Sequence, residues 1–250
     1  MADRGRRYSQ LATLALVVAV LSFTAAIAAG LGTRLELWDF GTGFTILTWA
    51  ATGGFGSLVL ALAATYLTRP RTRRRGFVVA AVALLIATIT AGVPLSWGWV
   101  ARHAPRIHDI STDTANPPSF VAILTQRANA PNPATYGGPE VAAQQHAAYP
   151  DIQPLLLRMP PARAFELTLD VARDLGWTIV DADPAAGRIE ASDRTFWFGF
   201  TDDAVVRITP SAEGGARVDV RSVSRVGLGD VGTNARRVRS FLEKLAARAS

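Results

Sequence analysis

The sequence predicts three membrane-spanning helices followed by an α+β domain, in which an antiparallel sheet of about four strands is flanked by two helices. Three observations lead to this prediction. Long apolar stretches without charge fill the first hundred of the 250 residues, and the excess positive charge lies in the same part. In the last ninety residues, short strand-like segments lie between two amphipathic segments. An order of helix, antiparallel strands and helix is typical of α+β domains.

The membrane-spanning segments are recognised by the complete absence of Asp, Glu, Lys, Arg and His. They are the stretches Leu11–Leu31, Thr45–Leu67 and Phe77–Trp99. At 1.5 Å per residue, a helix of 21 residues extends about 31 Å, enough to cross the hydrocarbon core of a bilayer. We therefore predict a tail over residues 1–10 and a three-helix anchor over residues 11–100.

Two features of this anchor leave alternatives open. Pro94, near the end of the third stretch, is expected to bend or end that helix. The first stretch also resembles a signal peptide, because arginines precede it and small residues follow near Ala28–Gly30. Its length and the two further spans favour an uncleaved helix, with cleavage as the alternative.

The distribution of arginine predicts the orientation of the anchor. Nine Arg and three acidic residues lie in residues 1–100, whereas residues 101–250 hold 17 basic and 17 acidic residues. The arginines before the first span and between the second and third are Arg4, Arg6, Arg7, Arg69, Arg71, Arg73, Arg74 and Arg75. The positive-inside rule places these segments in the cytoplasm and residues 101–250 outside. This charge pattern indicates membrane topology and argues against nucleic acid as a partner.

The segment over residues 101–160 is predicted to be an irregular strap. Ten of the 14 prolines lie in residues 102–161, and proline disfavours long helices. Its apolar clusters need cover, so we expect the strap to lie against the following domain, with a short helix near Val141–Ala148.

Residues 161–250 are predicted to form the α+β domain. A helix is expected to begin at Pro161 and to end before Gly176, and the last helix is expected over Thr233–Ala247. The strand-like segments between them are Trp177–Ala182, Arg188–Ser192, Arg194–Phe200, Ala204–Thr209 and Ala216–Ser224. The second and third of these are compatible with one bent strand.

Four motifs connect this region with a known family. They are IHDISTD at 107–113, YPD at 149–151, WFGFTDD at 197–203 and RSVSRVG at 221–227. In this order they resemble a bacterial family known as domain of unknown function 1499, and the resemblance covers about residues 105–248. It implies an α+β domain often carried on a membrane anchor, in this case in the bacterial cytoplasmic membrane. It implies no activity and no catalytic residues.

A glycine-rich motif and an aromatic cluster are both interpreted structurally. Gly227–Gly232 spells GxGxxG, but only 18 residues follow it, so the βαβ unit of a dinucleotide site is missing. The cluster Arg194–Phe200 is expected to place Phe196, Phe198 and Phe200 in the core. Asp202 and Asp203 are expected to form a turn. We predict no cofactor and no metal site.

An anion site is the candidate binding function. Alternation along the last two strands places Arg207, Arg217, Arg221 and Arg225 on one face or its edge, with Trp197 as an apolar contact. Arginine binds phosphate and carboxylate groups through paired hydrogen bonds. The competing interpretation is a solvated strand face with Arg207 paired to Asp219 across the strands.

The sequence thus favours a non-enzymatic membrane protein whose external domain binds an envelope protein or an anionic lipid or glycan, beside the lipid bilayer itself. The alternative is an envelope hydrolase or transferase assembled from His146, Asp151 and Ser222. No local spacing supports such a site, so its three residues would have to meet in the fold.

Overall fold

The computed structural model describes residues 7–70, 72 and 74–249, and the chain divides into two compact units. The first contains Met1–Arg102 together with Phe196–Gly199, and the second contains His103–Thr195 and Phe200–Ser250. Four arginines of the predicted cytoplasmic segments, Arg4, Arg6, Arg71 and Arg73, lie outside the described residues.

Three long helices dominate the first unit, here called the membrane unit. Its elements are β1 (Arg7–Tyr8), α1 (Gln10–Arg34), α2 (Phe40–Thr68), β2 (Arg74–Arg75) and α3 (Phe77–His103). All three helices are long and apolar enough to cross a membrane, and each contains one of the three predicted apolar stretches. The third helix does not end at Pro94 but continues to His103.

Small side chains allow the helices of the membrane unit to pack closely. Ala15, Ala19 and Ala61 are fully buried between them, and the Ser57 hydroxyl donates to the carbonyl of Ala15 at 2.8 Å. A Cβ at Gly54 would lie 2.9 Å from Thr90 Cγ2. Such contacts are typical of membrane helices, where small residues let the backbones approach.

The two shortest strands lie at one end of this bundle. β1 and β2 pair in parallel, with Arg7 opposite Arg74 and Tyr8 opposite Arg75, and the Ser9 amide donates to the carbonyl of Arg75 at 3.0 Å. The segment before α1 and the segment between α2 and α3 are therefore at the same end of the helices.

The second unit, here called the sheet domain, is an α+β fold as predicted. Its elements are β3 (Asp109–Ser111), a 3₁₀ helix (Ala122–Arg127), α4 (Gly138–Ala148), β4 (Leu155–Leu157), α5 (Pro161–Asp174), β5 (Thr178–Asp183), β6 (Arg188–Arg194), β7 (Thr201–Pro210), β8 (Ala216–Ser224) and α6 (Thr233–Ala249). The sheet is antiparallel in the order β3-β8-β7-β6-β5, and β4 also pairs with β8. It has six strands rather than about four, because the proline-rich strap contributes β3 and β4.

Each face of the sheet carries its own hydrophobic cluster. On one face, α5 and α6 cover residues such as Val206 and Val220, and Trp177 stacks on Phe241 with ring centroids 5.1 Å apart. On the other face, Phe120 and Ile123 of the strap pack on Val205 and Val223. The apolar residues of the strap are thus buried against the sheet, as expected.

The predicted strand Arg194–Phe200 is wrong. β6 ends at Arg194, and residues 195–200 form a loop closed by hydrogen bonds of 2.8 Å between Thr195 and Phe200. Gly199 has a φ of 69°, which suits a turn and not a strand. The expected core position of Phe196 is also wrong, since 86% of its surface is exposed.

The expected turn at Asp202 and Asp203 is wrong as well. Both residues lie inside β7 and are buried. Each accepts hydrogen bonds from an arginine, Asp202 from Arg237 at 2.8 Å and Asp203 from Arg225 at 2.8 Å. Buried carboxylates of this kind are compatible with a strand interior because their charges are paired.

Candidate functional site

The face of the sheet that packs against the strap carries the candidate arginines. In the β7–β8 register, Arg207 lies opposite Asp219 and Thr209 lies opposite Arg217. Side chains alternate between the two faces of a strand. Arg207, Arg217 and Arg221 therefore project to the face opposite α5 and α6.

Arg207 and Arg217 form a charge cluster with two carboxylates. The Arg207 Nη2 atom lies 3.0 Å from Oδ2 of Asp219 and 3.0 Å from Oδ2 of Asp113. Arg217 donates to the same two carboxylates at 3.0 and 3.1 Å, and the hydrogen bond to Asp219 raises the pKa of Arg217. Two guanidinium groups and two carboxylates balance each other, and the cross-strand pair of Arg207 with Asp219 is present.

Arg221 is buried in a separate ion pair. Only 3% of its side chain is exposed, and its Nε and Nη2 atoms donate to the two oxygens of Asp109 at 2.8 and 2.7 Å. It also donates to the strap carbonyls of Pro118 and Ala134 at 3.2 and 2.7 Å. Arg221 therefore connects β8 to β3 and to two points of the strap.

Two aromatic rings of the strap enclose the same guanidinium. Arg221 lies 5.2 Å from the ring centroid of Phe120 and 5.4 Å from that of Tyr136. Burial, together with the nearby charge of Asp109, raises the pKa of Tyr136 to about 12. The surroundings of Arg221 are thus largely shielded from water, which strengthens its ion pair with Asp109.

Arg225 lies just beyond the end of β8, where two arginines share one carboxylate. Asp203 is fully buried and accepts hydrogen bonds from Arg127, from Arg225 at 2.8 Å and from the Ser192 hydroxyl at 2.7 Å. Arg127 also donates to the carbonyl of Asn132. This group has one more positive than negative charge, in contrast to the balanced cluster around Asp219.

An open groove of about 400 Å³ lies next to this group. The residues that line it come from the 3₁₀ helix, β5, β6, the start of β7 and the segment after β8. They are Gln126, Thr178, Ile179, Val180, Ser192, Asp193, Arg194, Thr201 and Arg225. Hydroxyl groups and two arginines thus line one opening, and Asp193 is paired with Arg237 at 2.8 Å. Such a set of donors fits an anionic group.

Glu190 fixes the strap beside the groove. This buried carboxylate accepts hydrogen bonds from the amides of Val121, Ala122 and Ile123 at 2.8, 3.1 and 2.9 Å. It therefore caps the start of the 3₁₀ helix that carries Gln126 and Arg127. Arg188 adds an ion pair with the same carboxylate.

Trp197 belongs to the membrane unit. Its indole lies against α1, so close that a Cβ at Gly30 would be 2.1 Å from Trp197 Cδ1. The indole nitrogen lies 3.5 Å from the carbonyl of Ile27. The structure therefore groups Trp197 with the first membrane helix and not with Arg207, Arg217, Arg221 or Arg225.

His146, Asp151 and Ser222 are not brought together. The His146 ring lies 2.9 Å from the Thr114 hydroxyl, Asp151 accepts two hydrogen bonds from Arg239, and the buried Ser222 hydroxyl donates to Asn234 at 2.6 Å. Within the part of the chain that the structure describes, these three side chains have separate partners. His146, Asp151 and Ser222 therefore do not form one site for acyl or phosphoryl transfer, which would need a base beside its nucleophile.

The glycine-rich motif forms the turn before α6. Gly227 and Gly232 have φ values of 98° and 76°, which favour glycine. The Asp230 carboxylate accepts hydrogen bonds from the amides of Gly232 and Asn234 and so caps the helix. This agrees with the structural interpretation of the motif.

Asp230 makes stability depend on pH. Burial raises the pKa of Asp230 above its usual value of 3.8, so the stability that its protonation contributes is lost as the pH rises through the raised pKa. We expect Asp230→Asn to remove this loss and to be at least as stable as the wild type at neutral pH, because Asn also caps helices well. Urea unfolding of the full-length protein in detergent, at a series of pH values from 3.8 upward, tests this expectation.

Asp151→Asn is the matched control, because the pKa of Asp151 is shifted in the opposite direction. The hydrogen bond from Arg239 lowers the pKa of Asp151. Its contribution to stability is therefore present above the ordinary pKa and lost as the pH falls. A steeper pH dependence in Asp230→Asn than in the wild type would contradict the prediction for Asp230.

Several residues of the site were not identified from the sequence. Arg127, Glu190 and Asp203 each have partners far away in the chain, so local patterns do not reveal them. Asp109 and Asp113 could have been identified from the sequence, because both lie in the motif at 107–113. Two acidic residues in a segment poor in charge could have suggested partners for the unmatched arginines of β8.

Comparison with known proteins adds a family but no activity. No curated protein matches the chain. The family described as "Protein of unknown function (DUF1499)" matches residues 109–245, more than half of the chain. This range starts at β3 and ends within α6, so it includes most of the strap and both of its strands. The chain therefore belongs to this family of unknown function.

Proposed function

We propose that this protein is anchored in the bacterial cytoplasmic membrane and binds an anionic envelope component through its external sheet domain. The N-terminus is cytoplasmic in this proposal, and residues 101–250 are extracytoplasmic. Support for the orientation comes from Arg7, Arg74 and Arg75, which lie at one end of the helices. Positive residues concentrate on the cytoplasmic side of membrane proteins.

The groove next to Arg225 is the observation that carries the binding proposal. Its arginines offer charged donors, and Thr178 and Thr201 offer hydroxyls. The lining of the groove contains two arginines and one aspartate, and this balance favours a negative ligand. Arg207 and Arg217 are balanced by Asp113 and Asp219, so we assign them to holding the strap. The ligand chemistry is a phosphate or carboxylate group on a lipid or a glycan.

Native mass spectrometry provides the test. Full-length protein is reconstituted in nanodiscs of phosphatidylcholine with phosphatidylglycerol, and retention of the anionic lipid is compared among variants. We expect Arg194→Gln and Arg225→Gln each to weaken retention about 10-fold or more, since a hydrogen bond to a charged group contributes about 1.5–3 kcal/mol. Titration with glycerol phosphate and with glucuronate distinguishes a lipid from a soluble glycan source.

Arg217→Gln is the matched control, because this arginine is exposed but is not among the residues that line the groove. Its retention of ligand should equal that of the wild type. Equal loss in all three variants would indicate a general charge effect and would contradict a site at the groove. Retention of an acidic protein, with neither lipid nor glycan bound, would contradict the lipid or glycan ligand and indicate a protein partner.

A further inference from the structure

The loop between β6 and β7 leaves the sheet domain and joins the membrane unit. Residues Phe196–Gly199 form part of that unit, while Thr195 and Phe200 on either side belong to the sheet domain. Four residues that follow an antiparallel strand are thus grouped with three helices that are apolar enough to cross a membrane.

Three contacts place this loop along the last turns of α1 and the first turns of α2. The Arg34 Nη1 atom donates to the carbonyl of Phe196 at 3.0 Å. Trp197 lies on Gly30, and Phe198 lies against Phe44 with ring centroids 5.0 Å apart. The loop is therefore held on both helices at the end of the bundle where α1 ends and α2 begins.

The position of Trp197 along α1 indicates how far the loop extends below the level of the lipid headgroups. Ile27, whose carbonyl faces the indole nitrogen, lies seven residues before Arg34, the last residue of α1. Seven residues of helix correspond to about 10 Å. Arg34 is the first charged residue of the described chain after the span, so its guanidinium marks the level of the lipid headgroups. Trp197 thus reaches below that level.

Phe196 is left uncovered by the protein at the same place. Phe196 is 86% exposed, although Trp197 and Phe198, the two residues that follow it, pack on the helices. An exposed phenyl ring is unfavourable in water and favourable at a membrane interface, where aromatic side chains concentrate. The loop lies against α1 and α2, and both helices are apolar enough to cross a membrane. Lipid would therefore surround the position of Phe196.

We infer that Phe196 inserts into the bilayer at the end of the membrane unit where α1 ends, and that lipid acyl chains cover its ring. The β6–β7 loop is then a second membrane contact, in addition to the three spans. This surface is separate from the groove residues, so either proposal can fail without the other.

The absence of cysteine from the chain gives a direct test. A nitroxide is attached to the full-length Phe196→Cys protein in phosphatidylcholine vesicles, and its accessibility to oxygen and to a water-soluble nickel complex is measured. Oxygen concentrates in the bilayer and the nickel complex in water. Leu156→Cys is the matched control, because Leu156 is an apolar residue of β4 that is 51% exposed and is not part of the membrane unit.

We expect the ratio of oxygen to nickel accessibility at 196 to be several-fold higher than at 156. Equal ratios at the two positions would overturn the inference. A nitroxide at 196 shielded from both reagents would also overturn it, in favour of a contact with another protein. Lipid retention by the groove is measured independently and has no effect on this result.

Discussion

Asp109→Asn should lower the free energy of unfolding of the sheet domain by about 3–5 kcal/mol, the effect typical of breaking a buried ion pair from one side. The amide that replaces the carboxylate carries no charge, so the buried guanidinium of Arg221 loses its counter-ion. The carbonyls of Pro118 and Ala134 remain as partners but cannot compensate a full charge. Since these contacts also hold the strap, we expect the strap to separate from the sheet more readily.

Urea unfolding of the full-length protein in detergent, followed by near-UV circular dichroism, measures this loss. Asp151→Asn is the control, because the same change breaks the exposed pair with Arg239 and should cost less than about 1 kcal/mol. The double variant Asp109→Leu with Arg221→Met should recover part of the stability, since neither charge remains buried. Similar losses for Asp109→Asn and Asp151→Asn would show that the pair with Arg221 contributes no more than a surface pair.

Arg237→Met is the second change with a large expected effect. Arg237 is buried on α6 and donates to Asp193, Asp202, Ser222 and Asn234 at 2.7–3.2 Å. Its removal leaves the buried carboxylate of Asp202 without this cation, and we expect a loss of about 3–5 kcal/mol. Because this network joins α6 to β6, β7 and β8, the helix should become less protected.

Hydrogen exchange of the amides of α6, measured by mass spectrometry, tests this second prediction. Arg239→Met is the matched control on the same helix, because it removes an exposed pair with Asp151 and a contact with the ring of Tyr149 but no buried ion pair. We expect faster exchange throughout α6 in Arg237→Met and exchange close to wild type in Arg239→Met. Unchanged exchange in Arg237→Met would mean that the network does not hold the helix on the sheet.

The features that the sequence predicted depend on local or periodic patterns. The three spans need only composition and length, and the helix from Pro161 needs only its apolar stripe and Gly176. The turn between β5 and β6 follows from Asp183–Gly187. Even the pair of Arg207 with Asp219 could be foreseen, because alternation and register on adjacent strands determine which residues face each other.

The features that the sequence did not predict depend on distant partners. β3 has three residues, too few for a recognisable pattern, and it forms only because β8 offers an edge. The loop at 195–200 has strong β propensity, but contacts of Trp197 and Phe198 with the membrane helices override it. The functional interpretation was limited for the same reason, since the exposure of each arginine depends on carboxylates far away in the sequence.

The pairing of β3 with β8 has a consequence for the synthesis of the protein. Asp109 and Arg221 are separated by 112 positions, so β3 emerges from the ribosome long before its partner strand exists. Contacts of such high sequence separation form late and slowly. The apolar residues of the strap therefore stay uncovered until β8 has been made, and during this interval a chaperone or a protease has access to the nascent chain.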